Sequence, residues 1–133
     1  MTDYEKYKIK ISDDVLIYLK RDDEAPYDAK EITNKTLDAL EGHFLSHDVL
    51  PDRIKEARRK RRENGGQSVE KTHPNLFKGL QSTLKNTCGE NAHFRLDMVE
   101  SPHKPTLKHA IKVFGHSGIG IKAEKIKTIE RRR

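Results

Sequence analysis

Tryptophan is absent from this sequence, cysteine occurs once, and no apolar run approaches the length of a membrane span. The lone thiol, Cys88, cannot close an internal disulfide, which excludes the disulfide-stapled frameworks of small secreted domains. A membrane-crossing helix needs about 18 apolar residues in succession, whereas the longest run here is Val15–Leu19. No apolar stretch of the signal-peptide kind follows the N-terminus, so the expected location is cytoplasmic, or nuclear in a host with a nucleus. Aromatics are also scarce, four Tyr and four Phe, and only 33% of residues are hydrophobic, so any core must be thin. The apolar residues are nevertheless periodic, and that argues for a folded chain. A length of 133 residues suits one domain, residues 1–133.

Charge is what the chain has in quantity, 36% of residues, and its distribution is uneven. Residues 1–50 hold 7 Lys/Arg against 12 Asp/Glu, a net of −5. Residues 51–133 hold 20 against 9, a net of +11, and the two halves sum to the overall +6. Such asymmetry points to a polyanionic partner for the basic half, RNA or DNA. The acidic half is then free for a protein partner or a homodimer contact.

Residues 6–11 alternate strictly, with Tyr7, Ile9 and Ile11 on one face and Lys6, Lys8 and Lys10 on the other, as in a half-buried strand. A turn at Ser12-Asp13-Asp14 and the β-prone run Val15–Leu19 complete a hairpin; a short helix over 13–20, capped by Ser12, is the alternative. Asp28 with Glu31 forms a capping box that opens a helix over about 28–46. Pro51 starts a second helix, Asp52–Arg62, which Asn64-Gly65-Gly66 ends. Pro74 opens a third, with Leu76, Phe77, Leu80 and Leu84 on one side and Gly89 at its C-terminal cap. Beyond it the period changes to two. Phe94, Leu96 and Met98 read as one face of a strand, and Leu107, His109, Ile111 and Val113 as the inner face of a second. Ile119 and Ile121 begin a third. The alternation stops after Ala123, which leaves 124–133 as helix or tail. The expected fold is α+β: an N-terminal β-hairpin, about three helices, and a C-terminal three-stranded antiparallel meander.

The densest chemical feature is Arg53–Arg62, seven cations and one anion in ten residues. Crowded like charges destabilise an isolated helix, and phosphates relieve that repulsion while releasing counterions. Arg53, Lys55, Arg58, Arg59, Lys60, Arg61 and Arg62 are therefore candidate phosphate contacts; a nuclear-import signal and a solvated face are the alternatives for the same run. A second basic surface is expected on the meander, from Arg95, Lys108, Lys112 and Lys122, extended by Lys125, Lys127 and Arg131-Arg132-Arg133. Tyr7 and Phe114 are candidates for base stacking or for the core. His43 and His47 stand four apart on a helix, a spacing open to a metal, but no third ligand accompanies them, so no metal or cofactor is expected. Cys88 reads as a packing residue.

Helices followed by an antiparallel sheet bearing His, Lys and Glu resemble small barnase-like and RelE-like ribonucleases. That resemblance implies metal-independent RNA cleavage, with His93, His116, Lys112 and Glu100 as acid, base and phosphate-stabilising groups. Gly65-Gly66-Gln67-Ser68-Val69-Glu70-Lys71-Thr72 resembles the GGQ loop of peptide-chain release factors, where the glutamine, here Gln67, would orient a hydrolytic water. The strand Lys6–Ile11 followed by two helices also fits a ribbon-helix-helix module, with Lys8 and Lys10 reading a major groove. The leading expectation is a small basic nucleic-acid-binding protein, an accessory or regulatory factor of the kind phages and mobile elements carry. It would contact phosphates through the Arg-rich helix. The alternatives are the ribonuclease and a protein-interaction or inhibitor protein without a nucleic-acid role.

Overall fold

The computed structural model describes residues 4–129. Strands β1 (Tyr4–Ser12) and β2 (Val15–Arg21) form the hairpin, and helices α1 (Ala29–Ser46), α2 (Asp52–Glu63) and α3 (Pro74–Cys88) follow. A short 3-10 helix, Val69–Lys71, lies between α2 and α3. Strand β3 (Phe94–Glu100), helix α4 (Leu107–Phe114) and strand β4 (Lys122–Ile129) complete the fold. The four strands make one antiparallel sheet in the order β3-β2-β1-β4.

The alternation read from the sequence decides which sheet face is buried. Tyr7, Ile9 and Ile11 of β1 and Val15, Ile17 and Leu19 of β2 join Ile32, Leu37, Leu40, Phe44, Phe77, Leu80 and Phe114 in one core. The helices thus cover a single face of the sheet, with α1 packed on β3 and α3, and α3 on β4. Asp28 caps α1 through the reciprocal bonds of a capping box with Glu31. Gly79, inside α3, is required by a close approach: a Cβ there would run into the backbone of Gly118 in the loop before β4. Among the described residues no helix is long and apolar enough to cross a membrane.

The C-terminal meander is not formed. Residues 107–114 are α4, because Thr106 accepts a bond from the His109 amide while His109 Nδ1 accepts from the Thr106 amide, closing an N-terminal box. The same eight residues satisfy both periods, and Ala110, Val113 and Phe114, spaced i, i+3, i+4, are the buried set. His109, expected to face inward from a strand, is a capping residue, and Leu107 and Ile111 lie exposed. Ile119 is exposed and precedes β4, which instead continues through the 124–129 stretch. Strands β3 and β4 occupy opposite edges of the sheet, separated by β2 and β1. Met98 does not share a face with Phe94 and Leu96, because a bulge at Asp97 re-aims it: Leu19 pairs with Leu96 and Tyr18 with Met98. The ribbon-helix-helix arrangement is also overturned. Residues 15–21 are a strand, and β1 is bonded on both sides, so it has no free edge to offer a second chain.

Candidate nucleic-acid interface

The Arg-rich helix α2 directs part of its charge inward. Glu41 of α1 is fully buried, and Arg58, Arg61 and His73 converge on it. Arg58 Nη1 lies 3.2 Å from Glu41 Oε1 and 2.9 Å from Asp38 Oδ1. Arg61 bonds the same Glu41 oxygen and reaches Thr72 Oγ1 at 3.1 Å. His73 Nε2 is 2.7 Å from Glu41 Oε2, its ring stacked on Phe114 at 4.5 Å. Burial opposes ionisation of Glu41, but the His73 hydrogen bond and the Arg61 guanidinium outweigh it and hold the carboxyl below its ordinary range. The side chains of Arg58 and Arg61 are 11% and 9% exposed, so these two hold α2 onto α1 and are poorly placed for an external phosphate.

The other charged side chains of α2 lie towards water, while Ile54 is buried in the core. Arg59 is bracketed by Glu56 and Glu63, both at 2.5 Å, which raises its pKa further above the ordinary arginine value. Arg62 lies 3.4 Å from Asp38, Lys60 3.9 Å from Glu56, and Lys55 3.6 Å from Asp48 and 3.9 Å from Asp52. Arg53 is exposed and makes no ion pair among the described residues. These exposed pairs are worth little individually and exchange readily with other anions.

The uncovered face of the sheet gathers more cations, and they come from both halves of the sequence. By register it carries Lys6, Lys8 and Lys10 of β1, Lys20 of β2, Arg95 of β3, and Lys122 and Lys127 of β4. Three carboxylates share it: Asp97, Glu100 and Glu124. Asp97, on the bulge, is 3.2 Å from Lys6 and 3.7 Å from Lys20, and Lys10 is 2.9 Å from Asp13 in the turn. Lys8, Arg95, Lys122 and Lys127 make no ion pair among the described residues. Leu16 and Tyr18 of β2 and Met98 of the edge strand β3 form an apolar strip on one side of this face, and Tyr4 lies beneath the Lys20 ammonium at 5.4 Å. Burial, then a hydrogen bond to Glu100, raises the pKa of Tyr18. From β3 to β4 the face is roughly 14 Å wide, three interstrand spacings.

Of the second basic surface, Arg95 and Lys122 stand on this face at opposite edges. Lys108 and Lys112 do not: both are on α4, and Lys112 pairs with Asp14 at 3.3 Å. Lys125 points to the covered side and pairs with Glu5 at 3.2 Å. Arg131, Arg132 and Arg133 lie outside the described residues. Tyr7 and Phe114 are core residues. The alternation of β1 marks Lys6, Lys8 and Lys10 as outward-facing, but a strand's own period does not show whether a further layer covers that face, and among the described residues none does.

The ribonuclease set is divided. His93 immediately precedes β3 and Glu100 ends it, so the two stand roughly 20 Å apart along the strand. His116 and Lys112 meet in a shallow hollow with Lys10, Asp13 and Lys122, at the far end of the molecule from His93. His43 and His47 stack edge-on at 5.1 Å, and His43 Nε2 is 2.7 Å from Ser101 Oγ, a pair 58 residues apart that sequence reading missed. Burial and His47 both lower the His43 pKa, and no carboxylate orients its ring. Burial pushes the Cys88 thiol up, which keeps it protonated against the core. Among the described residues no three His, Cys, Asp or Glu side chains are grouped to hold a metal. Gly65, Gly66 and Gln67 follow a helix in an exposed loop. The chain matches no protein-family model, no curated protein and no solved structure.

Proposed function

We propose that this protein binds single-stranded nucleic acid, RNA or DNA, across the open face of its sheet. The observation that carries the reading is the composition of that face: seven cations against three carboxylates, beside a strip of Tyr18, Leu16 and Met98, with no helix of the described residues over them. Cations alone would serve any polyanion. An aromatic and apolar strip on β2 and β3 beside the basic surface of β1 and β4 suits bases laid flat, with their phosphates running alongside, and duplexes hide the base faces such a strip needs. Helix α2 has a smaller part in this arrangement than its composition suggests, since Arg58 and Arg61 are committed to Glu41. Its exposed members, Arg53, Lys60 and Arg62, supply background attraction.

Replacing Lys8, Arg95 and Lys122 together by Gln is expected to weaken binding of a labelled single-stranded oligonucleotide at least tenfold in fluorescence anisotropy at fixed salt. Replacing Arg53, Arg59 and Lys60 by Gln removes the same number of charges and is expected to cost under threefold. Equal losses in the two triple variants would reduce the sheet to a generic charged surface. A second reading, protein interaction, is favoured by Leu107 and Ile111, one turn apart and exposed on α4, with Ile111 57% exposed. It predicts no nucleic-acid binding by the unmodified chain.

A further inference from the structure

A partly enclosed hollow lies on the helical side, away from the open sheet face. It has a volume of about 170 Å³ and is lined by Asn34, Lys35 and Asp38 of α1, Arg61 and Arg62 of α2, and Gly66 and Gln67 of the loop that follows. Three cations, one carboxylate and two amides form this wall, without an apolar side chain. An apolar ligand would find nothing to bury against, and a cation would meet three of its own sign. An anion is the chemistry that fits.

From this lining we infer that the hollow is a binding site for a phosphate group, free or carried as a monoester. The charge balance favours it. Arg58 and Arg61 are committed to the buried Glu41, so the cations of the wall left for an incoming anion are Lys35 and Arg62, against the single carboxylate of Asp38. Lys35 has no carboxylate partner among the described residues; its ammonium rests over the Tyr27 ring at 5.4 Å. Arg62 is held to Asp38 at 3.4 Å by an exposed pair that a dianion can displace. Asn34 Oδ1 accepts from the Val69 amide at 2.8 Å, which fixes that side chain and leaves its NH2 group as a donor. The Gln67 backbone N–H donates to the Arg61 carbonyl at 3.4 Å, but its exposed side-chain amide has no hydrogen-bond partner among the described residues and is available too.

The loop is built to leave the hollow open. Gly65 and Gly66 have φ of 85° and 74°, two left-handed residues in succession that only glycine adopts without strain, and a side chain at either would meet nothing within 4 Å. The Gly66 amide donates to the Arg61 carbonyl at 2.9 Å, turning the chain back over the end of α2 so that Gln67 reaches the rim. A phosphate group fits the volume, which is several times the roughly 30 Å³ share of one water molecule. This site is independent of the sheet reading and survives if the sheet binds nothing.

The test is a two-dimensional amide NMR titration of the whole chain with sodium phosphate and, separately, with adenosine monophosphate, at constant ionic strength set by chloride. Saturable shifts concentrated in residues 34–38 and 61–68 are expected. Gln67→Glu, in an exposed loop, places a negative charge at the rim and is expected to weaken phosphate at least fivefold. Lys35→Gln should do the same at an unrelated position. Equal affinity for the two ligands assigns recognition to the phosphate alone, and tighter monophosphate binding assigns it to a nucleotide. Shifts that chloride reproduces, that centre on the sheet, or that both variants leave unchanged would overturn the site.

Discussion

The residue on which most of this structure turns is Glu41. A carboxylate with no exposure is tolerated because two guanidiniums and an imidazole surround it, and removing one partner of such a group leaves the others uncompensated. Glu41→Gln keeps the shape and removes the charge, so Arg58 retains only Asp38 and Arg61 only the Thr72 hydroxyl. A loss of about 3–5 kcal/mol in urea denaturation is expected. The pH dependence has a defined sign. The folded-state pKa of Glu41 lies below its unfolded value of 4.5, so its contribution is complete above that value. It disappears as the pH falls through the folded value. Stability should therefore decline below about pH 5 in the unmodified protein more steeply than in Glu41→Gln, as midpoints collected from pH 3 to 7 would show. Parallel profiles would mean the carboxyl is not charged in the fold.

Single elements differ in how much of themselves the sequence discloses. Helix α1 was legible because its capping box and its apolar period both lie within one stretch of chain. The hairpin was legible because β1 alternates and a turn follows it. In α4 the local signal was ambiguous: eight residues with apolar groups at both even and helical spacing satisfy either period, and the Thr106–His109 box breaks the tie. Thr106→Ala should accordingly cost about 1 kcal/mol, with Thr106→Ser close to neutral, in the same denaturation assay. Strand β3 misled in a different way, since one bulged residue, Asp97, moves Met98 from the expected core position to 48% exposure. The Arg-rich run of α2 was legible as a helix but not as an interior one. Its partners, Asp38 and Glu41, lie about twenty residues upstream in the acidic half, which composition alone presents as a separate surface.

At the scale of the whole molecule, the opposed charges of the two halves are partly spent on each other, and the excess that remains is spread over a sheet built from both chain ends. Asp97 is the point where this surface can be tuned. It neutralises Lys6 and Lys20 from a strand edge, without a structural bond of its own to the core. If four unpaired cations of the face, Lys8, Arg95, Lys122 and Lys127, each meet a phosphate, log K for a single strand should fall with log salt at a slope of about −3. Asp97→Asn keeps the size of the side chain and frees two more cations, so both the affinity and the steepness should rise, the slope towards about −4. The variant must bind tighter at 50 mM salt and lose that advantage by 200 mM, because the gain is electrostatic and screening removes it. A variant that binds tighter by the same factor at every salt concentration would show that Asp97 acts through shape, and the phosphate contacts would then have to be sought away from the sheet.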